Sequence, residues 1–501
     1  MSAIAKSARS ALALIATFGV STIDRIILTG VMLRLWGTDR FSDWTTLTAA
    51  TALLAVCELG FQVYLGNMLS RAHLRGRRRV FNRIVGWGIT FYLGLFCLIV
   101  LGCGVLVLST DLRTAFALRT MDGRWVFLLL ALYQGMRLTR TSLTQVMRGR
   151  GELHLHLWTD VRVQVAIMAA VIAAMFLGAS PVVVAAIYGA TEIVIGTLWT
   201  ISAVRRRYPD VPIRPRAPGW AATQHTARNL GWYGTQTLVT NGMLNLPVLV
   251  AAWLGMTGPA VAAFVTQRTL VNFGRTLCST LSMAAGVELA NLSQTRADAS
   301  YRTGVYALAR FNAGFAALMT GGLIVFGNGI MAAWTGVPDL GSRVMLLTML
   351  VPVAVMAPVV PLQMVSLYAG FPRPQAIGGI VQAVIGLVTC VVFGHWFGIV
   401  GVVAGVALGE VVGQGIVFPL LAARRLQVPF AGVVLSSLIV FVGGLAWSWG
   451  VGLLAVRSGQ DGLVGFLVSL AIWGVLGALP VVLACLPASV WRRLPLRRRR
   501  Q

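Results

Sequence analysis

Lysine and acidic residues are scarce in this sequence. It holds a single lysine, Lys6, and 15 aspartates and glutamates among 501 residues, and only 11% of its residues are charged. Hydrophobic residues make up 57%, and the mean hydropathy is +0.80. A soluble globular chain carries far more charge, so this composition excludes one and indicates a polytopic membrane protein.

Motifs of common catalytic and metal sites are also missing. There is no His/Cys/carboxylate cluster with metal-ligand spacing, no phosphate-binding Gly-Lys-Ser/Thr loop and no Ser-His-Asp arrangement. The six cysteines lie in apolar segments, which favours free, buried thiols. We therefore expect no metal, no cofactor and no enzymatic activity.

Apolar segments long enough to cross a bilayer recur along the whole chain. A crossing needs about 20 apolar residues. The first span ends at Leu35, and the others are predicted at 42–68, 80–108, 125–147, 156–178, 181–204, 229–255, 258–290, 304–335, 343–369, 374–397, 398–423, 431–456 and 462–487. The sequence thus predicts an all-α membrane protein with about 14 transmembrane helices.

The net charge of +26 is concentrated in short connectors that follow the even-numbered spans. Connectors after odd-numbered spans are poor in arginine, and the positive-inside rule therefore places both termini in the cytoplasm. The expected location is the bacterial cytoplasmic (inner) membrane, with membrane lipids as partners. Binding of the basic runs to anionic lipid head groups is the alternative reading. No nucleic-acid partner is expected.

The chain repeats itself. Glu192 and Glu410 each end a Val/Ala/Gly-rich span and precede an arginine pair by the same interval. This indicates two six-helix bundles related by a repeat, followed by two extra helices, an arrangement found in transporters. The predicted domains are 1–215, 216–427 and 428–501.

The eighth span carries a polar stripe that a lipid-facing helix would not have. At helical spacing, Arg268, Asn272 and Arg275 share one face with Ser279 and Ser282. An arginine at the bilayer centre costs about 2.5–3.5 kcal/mol on insertion scales, so such residues face water, a ligand or a partner. The stripe predicts a cationic wall for an anionic ligand.

Further polar groups lie on three other spans. Arg25 shares a face with Ser21 and Thr29 in the first span, and the seventh span offers uncharged donors such as Gln236. The fourth span has Arg137 with Arg140 beside it, and Arg140 is close enough to the cytoplasmic edge to snorkel. For each arginine, pairing with a carboxylate on another helix is the structural alternative to ligand binding.

Carboxylates within the spans are candidates for coupling to H⁺ or Na⁺, and the two that we select are Asp24 and Glu58. Others are expected to neutralise arginines. Glu192 and Glu410 in particular are predicted to balance basic groups within their own halves. The glycines Gly401, Gly405, Gly409 and Gly413 form a small-residue ridge that we interpret as helix packing within the monomer.

Several short motifs resemble those of a known family. They are Glu58-Leu59-Gly60-Phe61, Leu254-Gly255-Met256-Thr257-Gly258-Pro259, Leu367-Tyr368-Ala369-Gly370 and Gly398-Ile399-Val400-Gly401. Over residues 5–425 the chain resembles the Wzx-type polysaccharide and O-antigen flippases of the multidrug/oligosaccharidyl-lipid/polysaccharide exporter (MOP) superfamily.

The resemblance implies two six-helix bundles around a central cavity and transport by alternating access. It also implies an undecaprenyl-diphosphate-linked oligosaccharide as substrate, with Arg25, Arg268 and Arg275 in places comparable to the cavity arginines of related lipid II flippases. A polysaccharide polymerase and glycosyltransferases are the protein partners that such a function suggests.

Alternatives remain open at this point. Within transport they are a lipid II flippase and a cation-coupled drug exporter, although an exporter of organic cations would favour acidic and aromatic walls. From another class, the alternative is a membrane-embedded polymerase, ligase or glycosyltransferase. Such enzymes need a sizeable external loop, and the longest one here, Ser109 to Arg124, is short.

Overall fold

The fold consists of helices throughout the residues that the computed structural model describes, which are 3–217, 220–294, 298–369, 371–426, 428–458, 463–479 and 481. The α-helices, numbered α1 to α17 in chain order, are Ala3–Ala52, Phe61–Leu74, Arg78–Ser109, Leu112–Ala115, Arg124–Gly149, Leu153–Phe176, Pro181–Thr191, Trp199–Arg207, Trp220–Trp253, Pro259–Gln294, Asp298–Thr335, Arg343–Met356, Val360–Tyr368, Pro372–Glu410, Phe418–Leu426, Phe430–Ser458 and Leu463–Gly477.

We call each helical run between two corners or connectors a rod. The corners in α1 and α14 divide each of these helices into two rods, α2, α8, α13 and α15 each continue the rod before them, and the short α4 is not counted. The described helices then form fourteen rods, which confirms the predicted all-α membrane fold. Two continuous stretches, Leu12–Leu74 and Arg373–Ala422, have 63 and 50 residues and are each too long for one crossing. Each turns at one glycine, Gly37 (φ 76°) in α1 and Gly398 (φ 61°) in α14. Because only glycine adopts positive φ at little cost, these residues allow a corner without a loop.

The second and tenth rods are broken, which hydropathy did not predict. In the second, a 3₁₀ turn at Leu53–Glu58 is followed by Leu59 (φ 50°) and Gly60 (φ 72°), both left-handed, before α2 begins. In the tenth, α12 and α13 meet at 52°, and α13 begins with Pro361 in its first turn. A proline is accommodated at that position because the first amide of a helix needs no partner.

The two repeated glutamates, Glu192 and Glu410, lie at matching irregularities of the helical backbone. One π-helical segment, Glu192–Leu198, begins at the first glutamate, and a second, Val411–Val417, begins directly after Glu410. The extra residue of a π turn shifts the helical register and is frequent at functional sites. The repeat therefore extends from sequence spacing to backbone conformation.

The chain divides into two compact units. The first comprises Met1–Thr266 and Cys390–Val402, and the second comprises Gln267–Thr389 and Val403–Gln501. In the second unit α16 and α17 pack against α11. The domain boundaries at 215/216 and 427/428 stay predictions.

In the second unit, close glycine packing joins the first part of α14 to its last turns and to the π segment that follows. A Cβ at Gly413 would meet the backbone oxygen of Gly378, and one at Gly409 would lie 2.6 Å from the Cα of Gly386. The absence of side chains lets the two backbones touch, as at small-residue interfaces in membranes. For these two glycines, the predicted packing ridge is confirmed.

Connectors at the arginine-rich end of the first unit are fastened by ion pairs. Arg150 Nη2 lies 2.5 Å from Asp210 Oδ2, and Arg207 donates to both oxygens of Glu152 at 2.6 and 2.9 Å. Hydrogen bonding to the Arg207 guanidinium lowers the pKa of Glu152 to about 2. These short connectors are therefore ordered parts of the unit.

Candidate functional site

Two exposed arginines of the first unit lie within electrostatic range of one another. Arg25 is on α1 and Arg137 is near the middle of α5, and both side chains are exposed. Among the described residues, neither forms a salt bridge.

Helical spacing explains the surroundings of this pair. Ser21 and Thr29 precede and follow Arg25 by one turn on α1, and Thr141 follows Arg137 by one turn on α5. The two like charges repel one another, and within the described part of the chain no carboxylate makes a salt bridge with either, although Asp24 lies within electrostatic range of Arg25. An anion placed between them would relieve that repulsion.

Arg140 has a different environment, although it is only one turn from Arg137. Its side chain is 5% exposed, its Nε donates to Glu192 Oε1 at 2.5 Å, and its Nη1 donates to Asp160 Oδ1 at 2.5 Å. It thus joins α5 to α6 and to the π segment. The structure places Arg140 inside the bundle, with two carboxylates in contact with one guanidinium.

Gly196 provides the space for this ion pair. A Cβ at Gly196 would lie 2.6 Å from Glu192 Oε1 and 3.2 Å from Arg140 Cδ. The carboxylate of Glu192 folds back over the next turn, where a glycine leaves room for it. A side chain at residue 196 would displace the carboxylate.

Asp24 faces away from Arg25, as its adjacent position predicts. Its Oδ2 accepts a hydrogen bond of 3.3 Å from Gln164 Nε2 on α6. Its Oδ1 is buried and accepts no hydrogen bond within the described part of the chain. Asp24 thus retains an oxygen that a proton or cation can use.

Glu58 lies at the break in the second rod and is 6% exposed. Its Oε1 accepts a 2.9 Å hydrogen bond from the amide of Gln62, in the first turn of α2. A carboxylate at this position satisfies a free amide and complements the helix dipole. Glu58 therefore has a structural role in addition to its predicted role in ion coupling.

In the second unit, the predicted stripe runs along α10. Arg268, Asn272 and Arg275 are all half-buried, and Arg275 makes a bidentate pair with Glu410, Nη1 to Oε1 at 3.0 Å and Nη2 to Oε2 at 2.5 Å. The prediction that Glu192 and Glu410 balance basic groups in their own halves is confirmed at the level of contacts. The side chain of Gln236, on α9, lies outside the described residues.

Amide contacts near this stripe were not predicted. Gln363 Nε2 on α13 donates to Gln414 Oε1 in the second π segment at 3.0 Å, and both residues are buried. Asn312 donates to Ser282 at 2.6 Å, so the far end of the stripe is bound within the unit. A polar residue at helical spacing within an apolar span is the only signal that the sequence offers for such pairs.

Comparisons with solved structures show the fold. The lipid II flippase MurJ in an inward closed conformation matches 97% of this chain and 100% of its own, with a TM-score of 0.67 at 12% identity. An inward-facing multidrug resistance MATE transporter of the MOP superfamily matches 81% of this chain and 94% of its own, with a TM-score of 0.67 at 13% identity. This chain therefore shares its fold with these two transporters.

A MATE structure in complex with MaD5 agrees, with a TM-score of 0.58 and 15% identity over 84% of this chain and 96% of that one. No described protein family and no curated protein matches the sequence. At these identities the MOP likeness concerns the fold alone. Together with its long apolar helices, this shared fold makes the chain a multi-pass membrane protein.

Proposed function

We propose that this chain is a flippase of the MOP superfamily, of the Wzx type. It moves undecaprenyl-diphosphate-linked oligosaccharide, or a similar polysaccharide precursor, across the bacterial inner membrane by alternating access. The observation that carries the proposal is the exposed pair Arg25 and Arg137, which lie within electrostatic range of one another and form no salt bridge with any residue that the structure describes.

The chemistry of the pair fits a diphosphate. A guanidinium offers five donors in a planar fork and binds phosphate oxygens bidentately. Two such groups match a ligand with two linked phosphates and repel organic cations. This supports a lipid diphosphate substrate over a cationic drug.

The second unit contributes its own polar stripe. Arg268, Asn272 and Arg275 are proposed to bind the anionic head group, and Gln236 is proposed to hydrogen-bond the sugar. Arg275 has Glu410 as its counterion in this structure. Binding of a phosphate by Arg275 therefore has to compete with that carboxylate. For Arg140 we propose a positioning role instead of the predicted contact with substrate, because two carboxylates already occupy it.

The proposal also covers how the chain is oriented in the membrane and which ion drives transport. The arginine-rich connectors favour cytoplasmic termini. Asp24, with one unpaired oxygen, and Glu58 are proposed to bind the coupling H⁺ or Na⁺. The chain is proposed to transport and not to catalyse a reaction, next to the polymerase and glycosyltransferases of polysaccharide synthesis.

Flipping of lipid II is the second candidate function. It is favoured by the match to the full length of the MurJ structure. Complementation of a strain depleted of its lipid II flippase separates the two: growth supports lipid II as substrate, and failure to grow with restored polysaccharide export supports the first proposal.

The test of the anion site uses Arg25→Ala and Arg137→Ala in cells that lack the native gene. Loss of a charge-assisted contact of about 1.5–3 kcal/mol predicts a 10- to 100-fold drop in glycan export with normal membrane abundance. Lysine at either position should retain part of the activity. Lipid-linked repeat units should accumulate on the cytoplasmic face.

The matched control is Arg83→Ala, an exposed arginine of α3 in the same unit. It should export at the wild-type rate. Wild-type export by both alanine variants, or depletion of both from the membrane, would contradict the anion site.

A further inference from the structure

A second set of ionisable side chains lies in the first unit, apart from the exposed arginine pair. It consists of Arg140 on α5, His156 and Asp160 on α6, and Glu192 in the π segment, and we refer to it as the His156 cluster. Arg140 contacts both carboxylates at 2.5 Å, and His156 Nε2 lies 3.8 Å from Asp160 Oδ2.

The groups in contact do not balance in charge. One guanidinium faces two carboxylates, so with a neutral imidazole these groups together carry one negative charge. Arg140, His156 and Glu192 are 5%, 8% and 0% exposed. An unbalanced charge among side chains as buried as these three is costly.

Two polar atoms of the His156 cluster are unsatisfied. Glu192 Oε2 and His156 Nδ1 are buried, and neither has a hydrogen-bond partner within the described ranges. Buried polar groups in proteins are nearly always bonded.

The surrounding helices supply opposing influences. Burial disfavours a positive imidazole at His156 most, Asp160 on the same helix attracts one, and Arg140 and Arg148 from α5 repel one. The π segment presents Glu192, which interacts with Asp160 and Arg137. From α1, Asp24 meets α6 one turn beyond Asp160, at Gln164. A positive imidazole at His156 is therefore both attracted and repelled, and such a balance allows a proton to bind and leave reversibly.

A proton suits the His156 cluster better than a metal ion. Among the described residues, no three His, Cys, Asp or Glu side chains are arranged to hold a metal. The side chain of Asp160 is 34% exposed, so water can reach its carboxylate while His156 remains inside. Imidazole changes charge between about pH 5 and 8, unlike the other groups present.

We infer that His156 and Asp160 form a proton-binding site, held in place by Arg140 and Glu192. A proton arriving from water at Asp160 Oδ2 passes to Nε2 of the neutral His156 imidazole, the nitrogen nearest to Asp160, while Nδ1 keeps the hydrogen that it already carries. The resulting imidazolium has an N–H on both nitrogens and pairs with Asp160. Binding and release leave the atom and electron count otherwise unchanged.

The consequence for transport rests on the proposed function. The site joins α6 to α5 and to the π segment, and Asp160 is shared between Arg140 and His156. Protonation of His156 gives Asp160 a second cationic partner and so changes the strength of the ion pair between Asp160 and Arg140. Binding of the proton thereby changes how α5, α6 and the π segment pack against one another in the first unit.

The test measures proton binding directly, without substrate. The full chain, labelled at the imidazole ¹³Cε1 of its five histidines, is titrated by NMR in lipid nanodiscs, and His156→Gln assigns the resonance. We expect the His156 signal to titrate between about pH 5 and 8. Asp160→Asn should shift its midpoint to lower pH by about one unit or more, because the attracting charge is gone.

The matched control is His154→Gln, two residues away, which should leave the His156 titration unchanged. The proposal is overturned if the His156 signal stays constant from pH 5 to 9. It is also overturned if His156 titrates in both Asp160→Asn and Glu192→Gln as it does in the wild-type chain. His156→Gln retains the Arg140 ion pairs, so it provides a folded variant even where Asp160→Asn is unstable.

Proteoliposomes with an imposed pH gradient then test coupling. His156→Gln should lose the dependence of transport rate on the gradient, while binding of lipid-linked diphosphate stays normal. Unchanged gradient dependence in this variant would overturn the coupling role. Wild-type liposomes that move no lipid-linked oligosaccharide would refute the proposed function instead, and the NMR result would still decide the proton site.

Discussion

The two units use the same repeated glutamate in different ways. In the first, Glu192 is fully buried and pairs with Arg140, from the rod two before its own. In the second, Glu410 pairs with Arg275, which comes from α10. The side chains of that second pair are 15% and 27% exposed. The first pair is sealed in the bundle, whereas the second keeps part of its side-chain surface accessible.

One residue, four positions after each glutamate, accounts for part of the difference. In the first unit it is Gly196, which leaves room for the carboxylate to fold back to Arg140. In the second it is Gln414, which bonds with Gln363 instead. A duplicated backbone with matching π segments thus carries two different polar networks. The first is suited to fixing helices, and the second is suited to exchange of partners.

The largest effect is expected from Arg140→Ala. It leaves the carboxylates of Glu192 and Asp160 facing each other in a buried site without their cation. Breaking a buried ion pair in this way costs about 3–5 kcal/mol. The amount of folded protein in the membrane should fall severely, as measured by abundance and by thermal unfolding of the purified chain. Normal abundance would mean that the sealed pair does not stabilise the first unit.

Gly196→Ala tests the steric side of the comparison. The new methyl group would lie 2.6 Å from Glu192 Oε1 and push the carboxylate off Arg140. We expect a loss of about 1–3 kcal/mol in the free energy of unfolding. Gly189→Ala is the control, since its nearest neighbour outside the helix is 3.9 Å away. Equal stability of the two variants would remove Gly196 from the explanation.

Glu410→Gln tests the second pair. Because Arg275 is partly exposed, water can replace the lost carboxylate, and the expected loss of stability is about 1 kcal/mol. This is well below the cost of breaking a buried pair. Export should change more than abundance. A collapse in abundance matching that of Arg140→Ala would show that the two pairs are equivalent after all.

The smallest effect is expected at the arginine-rich end, from Glu152→Gln. The pKa of Glu152 is lowered to about 2 by Arg207, so the folded state favours the charged form. The stabilisation is present above the ordinary pKa of about 4.5 and is lost as the pH falls toward 2. We expect a difference of at most about 1 kcal/mol at pH 7 that vanishes near pH 2. A difference that grows on acidification would contradict the assignment.

Sequence reasoning reached the fold because hydropathy and charge asymmetry are properties of single segments. All fourteen rods follow from runs of apolar residues, and the spacing from each glutamate to its arginine pair revealed the repeat. The break at Leu59 was missed because a left-handed leucine leaves no signature in composition. Its neighbour Gly60 was the only local signal.

The candidate site was only partly predictable. Helical spacing placed Arg25 and Arg137 on polar faces, but it could not distinguish Arg137 from Arg140, which lies one turn away. That distinction depends on Glu192, 52 residues from Arg140, and on Asp160, 20 residues away. Which guanidinium finds a carboxylate is decided by how helices pack, and one sequence does not encode this in any local pattern.

The single-glycine corners have a consequence for how the chain can be altered. Gly37 and Gly398 connect two rods each, and the indole of Trp36 donates to the backbone oxygen of Ala179 at 3.2 Å beside the first of them. These corners have no loop residues that could take up an insertion. Residues inserted there would have to unwind part of a helix, so we expect insertions to be tolerated poorly. Epitope tags and fusion partners placed at these corners should prevent assembly, whereas the segment between Ser109 and Arg124 is long enough to accept one.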